Sequence, residues 1–236
     1  MSGNTNSFEI RNRDGTDGAP APEPVNRNPG RTKFKFVIIG DGAVGKTSVC
    51  QVFKDKKFST DMYIPTIFEN HTVDLTYLDK VYQINLSDTA GQEQFDRIRR
   101  LQYPGTDVFL VCFSLASKDS FENVKNVWLP EINQANPNAI KLLVGTKSDL
   151  VNPALGGTLA RRFSRKTEIV MKRDVEKLLN RGLVDGLIDC SAKLGSDSID
   201  PVFKKVDVLR KEERRNEKNG VHFLYEKYTP CIIKYA

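Results

Sequence analysis

The stretch "KFKFVIIGDGAVGKTSVC" (residues 33–50) decides the fold, because it joins an apolar run to a glycine-rich turn and then to a helical pattern. Within it, Gly40, Gly45, Lys46 and Thr47 match G-x-x-x-x-G-K-[ST], which is typical of a loop that binds phosphate groups. Glycines let backbone N–H groups converge on phosphate oxygens, and a helix N-terminus attracts anions. We expect Lys46 to reach the outer phosphates and the Thr47 hydroxyl to bind Mg²⁺. The residues expected to contact the nucleotide here are Gly40, Asp41, Gly42, Ala43, Val44, Gly45, Lys46, Thr47 and Ser48.

Strand and helix patterns alternate along the rest of the chain. Residues 68–77 and 81–88 alternate in polarity around a two-residue turn and predict a β-hairpin. Continuous apolar runs predict buried strands at 107–114, 140–145 and 187–191. Helical patterns cover 46–56, 119–134 with a kink or break expected at Pro130, 171–181 and 199 to about 218. The predicted fold is α/β, a P-loop NTPase with a six-stranded, mostly parallel sheet, one antiparallel edge strand and helices on both faces.

The segment "DTAGQ" (88–92) follows the third predicted strand. Asp88 is expected to hold the metal through water, and Gly91 to present its N–H to the terminal phosphate. Gln92 is placed to orient an attacking water. Alone, this segment is an ordinary turn, but ligands of such folds bind beyond the carboxyl ends of the strands, where it would meet the glycine-rich loop.

Two further strand ends carry polar segments that suit a base-binding site. In "GTKSDL", the Asp149 carboxylate can accept guanine N1–H and N2–H₂, a donor pair that adenine lacks. In "SAK", the Ala192 N–H can reach the guanine carbonyl oxygen. Each segment alone is more often a polar surface turn, but in this order after a phosphate loop they predict guanine. The residues expected at the base are Thr146, Lys147, Asp149, Leu150, Ser191, Ala192 and Lys193.

Composition and length favour one globular domain with tails. The chain has 236 residues and a net charge of +6, and no aromatic-interleaved basic motif indicates nucleic-acid binding. No run of about 18 apolar residues predicts a membrane span, and the first residues lack a signal-peptide pattern, so we expect a cytoplasmic location. Cys50, Cys112 and Cys190 lie in apolar stretches and are predicted to be reduced core residues.

The predicted domain covers residues 32–210 and is flanked by two tails. Residues 1–31 are polar and rich in Pro and Gly, and we expect disorder there. Residues 211–236 form a basic and aromatic tail, and its Cys231 is not in a C-a-a-X box, so prenylation by that signal is not expected. Peripheral membrane association through this tail stays open.

At this point the sequence resembles a small GTPase of the Ras superfamily and, within it, the Rho family. The resemblance extends over residues 33 to about 210 and includes "YIPTIFEN" (63–70), residues 88–132, and "TKSD" in place of the commoner "NKxD". An additional segment at about 151–168 is also similar to Rho members. The resemblance implies a monomeric molecular switch that binds GTP or GDP with Mg²⁺, hydrolyses GTP and controls the actin cytoskeleton.

The resemblance also implies roles for further residues. Thr66 would bind Mg²⁺ and sense the γ-phosphate, Tyr63 would cover the phosphates, and Phe58 would pack on the guanine edge. Gly42 falls where the family cannot tolerate a side chain without losing hydrolysis. Switch I (about 58–70) and switch II (about 91–101) would contact exchange factors, GTPase-activating proteins and effectors. Ser87 departs from the family, which usually has Trp there.

The implied catalytic set is Gln92, Lys46, Thr66 and Gly91. No other side chain has the pattern of a general base or a resident arginine finger, so we expect slow hydrolysis that a partner's arginine accelerates about 10³- to 10⁵-fold. Two alternatives are a GTP-locked binding scaffold that does not hydrolyse and a P-loop kinase of a small substrate. The kinase would not need "TKSD" or "SAK".

Overall fold

The computed structural model describes residues 33–59, 66–77, 80–152 and 169–206, and one six-stranded sheet forms their centre. The strand order is β2-β3-β1-β4-β5-β6. The β2–β3 pair is antiparallel, and the other pairings are parallel, as predicted. The strands are β1 (Lys33–Ile39), β2 (Phe68–Tyr77), β3 (Lys80–Thr89), β4 (Val108–Ser114), β5 (Ile140–Thr146) and β6 (Gly186–Asp189).

Helices connect the parallel strands and cover both faces of the sheet. The α-helices are α1 (Lys46–Asp55), α2 (Asp96–Arg100), α3 (Lys118–Asn123), α4 (Leu129–Ala135), α5 (Ser148–Val151), α6 (Lys172–Asn180) and α7 (196–206). Short 3₁₀ turns precede α2 at Glu93–Phe95 and follow β6 at Ala192–Leu194. None of the helices among the described residues has the length and apolar character needed to cross a membrane.

The sheet separates two hydrophobic cores. One core lies under α1 and α7 and includes Leu110 and Cys112 of β4, and the other lies under α3, α4 and α6 and includes Phe109 and Val111. Because successive side chains of β4 enter opposite cores, all seven of its residues are buried. This explains why the strand reads as a continuous apolar run.

The three described cysteines are free and buried, as predicted for core residues. Cys50, Cys112 and Cys190 all belong to the core under α1 and α7. Burial raises the pKa of each thiol, that of Cys112 to about 12. These thiols are therefore neutral at physiological pH, as suits small packing groups.

The helix that contains Pro130 does not break. A π-helical turn (Val124–Trp128) joins α3 to α4 immediately before the proline. Here the Leu129 N–H donates to the Val124 carbonyl, five residues earlier. Proline lacks an N–H and its ring clashes with the carbonyl four residues before it, so the widened turn accommodates Pro130 within one continuous helical segment.

Several predicted features lie outside the described residues. These are the N-terminal extension 1–31, Tyr63 of switch I, nearly all of the 151–168 insert, the tail 211–236 and its Cys231. The predicted hairpin turn at 78–79 is outside them as well. The helix predicted from 199 begins at 196, and its described part reaches 206.

Candidate functional site

The glycine-rich loop lies between β1 and α1, at the carboxyl end of the parallel strands. Gly40 and Gly45 have positive φ angles of 136° and 105°, which favour glycine. A Cβ on Gly40 would also stand 2.1 Å from the Cys112 carbonyl oxygen of β4. The motif therefore uses its first glycine for close packing on the neighbouring strand and its second to turn into α1.

Lys46 begins α1, and its ammonium group lies within the loop. Its side chain is buried, and Nζ donates to the carbonyl oxygens of Gly40 at 2.8 Å and Asp41 at 2.6 Å. Burial lowers the pKa of Lys46, while Cys112, Asp88 and Asp41 oppose that change. The geometry fixes a positive charge at the centre of the loop, as an anionic ligand requires.

Two hydroxyls and one carboxylate meet beside Lys46. The Oγ1 atoms of Thr47 and Thr66 are 2.8 Å apart. Asp88 is fully buried, and neither of its carboxylate oxygens has a hydrogen-bond partner among the described residues. Burial raises the pKa of this carboxyl, and Thr47 and Lys46 partly offset that rise. A buried carboxylate with no donor at full hydrogen-bonding distance stays charged only with positive charge nearby, and Lys46 supplies part of that charge.

These oxygen atoms fit Mg²⁺. The ion prefers oxygen ligands in octahedral geometry at 2.0–2.1 Å, which places adjacent ligand oxygens about 2.9 Å apart. The 2.8 Å separation of the Thr47 and Thr66 hydroxyls matches that spacing. The same distance is that of a hydrogen bond between the two hydroxyls, so it is compatible with shared coordination and does not by itself define it. Thr47, Thr66 and Asp88, which interacts with Thr47, are the residues that would hold the ion.

Gly91 and Gln92 also lie against the glycine-rich loop. A Cβ on Gly91 would stand 2.4 Å from the Asp41 carbonyl carbon and 2.5 Å from the Gly42 nitrogen, so a side chain has no room there. The Gln92 Oε1 atom is buried and has no hydrogen-bond partner among the described residues. A Cβ on Gly42 would lie 3.8 Å from Gln92 Nε2, which is ordinary contact. A larger side chain at 42 would therefore meet Gln92.

The two predicted base-binding segments also meet. Ser191 Oγ donates to Asp149 Oδ1 at 2.6 Å, and the Ser148 N–H donates to the Cys190 carbonyl at 3.1 Å. These bonds join α5 to the segment after β6 and fix the Asp149 carboxylate. Its Oδ2 and the second lone pair of Oδ1 can still accept hydrogen bonds. Leu150 lies in the same short helix, while Ala192 and Lys193 begin the following 3₁₀ turn.

The segment after β5 also supports the glycine-rich loop. Thr146 Oγ1 donates to the Val44 carbonyl at 2.6 Å, and Lys147 Nζ donates to the Ala43 carbonyl at 2.8 Å. Lys147 has a positive φ of 58°, which turns its side chain back toward the loop. Two other residues predicted to contact the nucleotide are also described: Ser48 lies in the first turn of α1, and the Phe58 side chain is 40% exposed. The segment predicted to bind the base is thus joined by hydrogen bonds to the loop predicted to bind phosphates.

Two side chains that contact the loop, Asn123 and Trp128, were not predicted from the sequence. Both side chains donate to the Asp41 carboxylate at 2.7 Å. Trp128 is the chain's single tryptophan, and a buried indole N–H usually requires an acceptor. That requirement was the available signal, although the sequence alone does not identify the acceptor.

The strand–loop–helix geometry and the parallel sheet define a P-loop NTPase. A model of the Ras family matches residues 35–210, which is more than half of the chain. The chain therefore belongs to the Ras family, whose domains are small GTPases and generally bind guanine nucleotides with Mg²⁺. The prediction of a Ras-superfamily small GTPase is confirmed, whereas the Rho family within it stays a prediction.

In the Thr47→Ala variant, the Mg²⁺ concentration needed to keep the nucleotide bound is expected to be about tenfold higher than in the wild type. The variant removes one of the paired hydroxyls, and a contact to a charged group contributes enough free energy for that factor. The release rate of a fluorescent GDP analogue, titrated with Mg²⁺, measures the change. Thr72→Ala is the control because Thr72 is exposed on β2, away from the site. Equal Mg²⁺ dependence in Thr47→Ala and wild type would contradict the assignment.

Proposed function

We propose that this protein is a Rho-like molecular switch that binds GTP with Mg²⁺ and hydrolyses it to GDP. One observation carries the proposal: residues of both predicted switch segments contact the glycine-rich loop or the first turn of the helix that follows it. Thr66 of switch I contacts Thr47, and Gly91 of switch II packs on Asp41 and Gly42. A bound γ-phosphate can therefore influence both segments.

The proposed roles follow from these positions. Lys46 and the N–H groups of the loop hold the phosphates, and Gly91 presents its N–H to the terminal phosphate. Gln92 orients the attacking water, since its side chain lies over the loop beside Gly42. Asp149, Ser191 and Ala192 bind guanine. Mg²⁺ would neutralise phosphate charge when bound, and Thr47, Thr66 and, through water, Asp88 would hold it.

We propose that slow hydrolysis of GTP sets how long the protein stays in its GTP-bound, active state. We expect no resident arginine finger, and among the described residues the nearby buried Arg99 already donates to the Ala90 carbonyl, Asp96 and Glu131. Its guanidinium is therefore committed to structural contacts. Intrinsic hydrolysis would be slow, and an arginine from a partner would accelerate it by about 10³- to 10⁵-fold.

The proposed subfamily, partners and location rest on the sequence segments. "TKSD" and the insert at 151–168 support a Rho-like member, and cytoskeletal control follows only from that likeness. Exposed apolar residues in the switches, Ile67, Ile98 and Leu101, support binding of exchange factors, GTPase-activating proteins and effectors there.

Ser87 is buried and donates to Asn70 Oδ1 at 2.7 Å, so this face lacks the family's usual indole. We propose a cytoplasmic monomer that can associate peripherally with a membrane.

The test is to extract the nucleotide from protein purified with Mg²⁺ and then follow single-turnover hydrolysis of loaded GTP. We expect mostly GDP, and hydrolysis at least about tenfold slower in Gln92→Leu, because the attacking water loses its orienting amide. Gln94→Leu is the matched control, since Gln94 is an exposed glutamine two residues further on. Bound GTP without turnover in wild type would favour the alternative, a GTP-locked binding scaffold.

A further inference from the structure

The carboxylate of Asp41 is held by two donors from one helical segment. Asn123 Nδ2 donates to Oδ2 and Trp128 Nε1 donates to Oδ1, both at 2.7 Å. Trp128 is 3% exposed, so its indole N–H has little access to water. Both carboxylate oxygens thus have a short, charge-assisted hydrogen bond, the geometry that restricts a side chain most strongly.

The π-helical turn makes this arrangement possible. Asn123 and Trp128 are five residues apart, and in an α-helix with 3.6 residues per turn they would point about 140° away from each other. The π turn adds one residue to the helical turn, which places residues five apart nearly above one another. The turn Val124–Trp128 begins directly after Asn123 and ends at Trp128, two residues before Pro130, which cannot make a regular α-helical hydrogen bond.

The position of Asp41 affects two other parts of the site. Its carbonyl oxygen accepts from Lys46 Nζ at 2.6 Å. Its carbonyl carbon would lie 2.4 Å from a Cβ on Gly91, so the backbones of the loop and switch II are in close contact there. A displacement of the Asp41 backbone would therefore shift the phosphate-binding lysine and the loop surface on which Gly91 rests.

Trp128 also contacts switch II through Arg99. The Arg99 Cζ atom lies 4.6 Å from the centre of the indole ring, and Nη1 of the same residue donates to the Ala90 carbonyl at 3.1 Å. Arg99 is 2% exposed and also pairs with Glu131 of α4. The indole is therefore fixed from the side of switch II while its N–H holds the loop.

We propose that Asn123 and Trp128 are positioning residues for nucleotide retention, and that the π turn exists in this fold to present both of them to Asp41. The proposal rests on the proposed GTP switch and names a further part of its site. Loss of either donor leaves a carboxylate oxygen unpaired and releases the loop, so bound GDP dissociates faster.

The experiment measures GDP release from Asn123→Ala and Trp128→Phe, each alone and combined with Asp41→Ala. Phenylalanine keeps an aromatic ring beside Arg99, but it removes the indole N–H together with part of the buried bicyclic ring, so the Asp41→Ala background is needed to isolate the hydrogen bond. Each single variant is expected to release GDP about tenfold faster, the factor for one lost charge-assisted hydrogen bond. In the Asp41→Ala background neither change should add a further acceleration, because the shared acceptor is gone. Ile132→Val removes a methylene from the same buried helix without reaching Asp41, and should leave the release rate unchanged.

Three outcomes would overturn the inference. These are wild-type release rates in Asn123→Ala, accelerations that persist in full with Asp41→Ala, and an equal acceleration by Ile132→Val. The last result would indicate general loosening of the core rather than positioning. Circular dichroism checks folding, and the half-buried Asn123→Ala decides the question if Trp128→Phe does not fold. A wild-type protein that binds no guanine nucleotide would instead refute the proposed function.

Discussion

Gly91→Ala is expected to lower the single-turnover rate of GTP hydrolysis by about 10²- to 10³-fold, the factor for losing one preorganised backbone donor. The added Cβ would lie 2.4 Å from the Gly40 carbonyl oxygen and from the Asp41 carbonyl carbon. No side chain can rotate to relieve this contact, because both partners are backbone atoms. Switch II must therefore move away from the loop and take with it the Gly91 N–H and the Gln92 side chain.

The same displacement predicts an effect on binding as well as on rate. GTP should lose more affinity than GDP, because only GTP carries the phosphate that Gly91 contacts. Equilibrium titration with both nucleotides separates this effect from misfolding, which would weaken the two alike. Gly105→Asn is the control, since a Cβ at 105 has no neighbour within 4 Å and asparagine tolerates its φ of 68°. Hydrolysis at the wild-type rate in Gly91→Ala would show that this backbone contact is unimportant.

The parts of the fold that the sequence predicted are those encoded by local patterns. β4 has seven consecutive buried residues, and the G-x-x-x-x-G-K-[ST] motif fits only a turn from strand to helix. The β2–β3 hairpin is similar, because alternating polarity around a short turn indicates antiparallel pairing. In each case, the information lies in one continuous stretch of the chain, the longest being the hairpin from Phe68 to Thr89, so local spacing was sufficient.

The contacts that the sequence did not predict join residues far apart in the chain. Asp41 and Trp128 are separated by 87 positions, and Arg99 and Glu131 by 32. No motif in the sequence pairs Arg99 with Glu131, yet Arg99 is 2% exposed and the two residues form an ion pair. Burial would raise the pKa of Glu131, but hydrogen bonds from Tyr103, Arg99 and Arg100 outweigh it and lower that pKa. Only the packing of α2 against α4 reveals this pairing.

The π turn shows a second limit of reading the sequence. Pro130 predicted an interruption in the helix, and there are several ways in which a helix can accommodate a proline. The choice of a π turn depends on tertiary contacts, including the two hydrogen bonds to Asp41. Local sequence therefore indicated where the helix is irregular, and the surrounding structure determined how.

Asp149→Asn is expected to lower GTP affinity by about 10²- to 10⁴-fold and to give a preference for XTP. The carboxylate can accept two guanine N–H groups, and two hydrogen bonds to a charged acceptor at roughly 1.5–3 kcal/mol each correspond to that range. Ser191 Oγ donates to Oδ1 at 2.6 Å, so an asparagine would keep its carbonyl oxygen toward Ser191 and turn its NH₂ group toward the base. The N–H donors of guanine would then face the NH₂ group of the asparagine, which is also a donor.

Xanthine distinguishes loss of this pairing from general damage, because it has a carbonyl oxygen at the position where guanine has its amino group. The amide NH₂ that Asp149→Asn introduces can donate to that oxygen, so the variant should bind XTP more tightly than the wild type does. Competition of GTP, ATP and XTP against a fluorescent nucleotide measures all three affinities. Asp149→Ala is the matched comparison, since it removes the acceptor and supplies no donor, and it should bind GTP weakly without gaining XTP. If Asp149→Asn kept the wild-type preference for GTP over ATP and XTP, base recognition would have to be assigned to other residues.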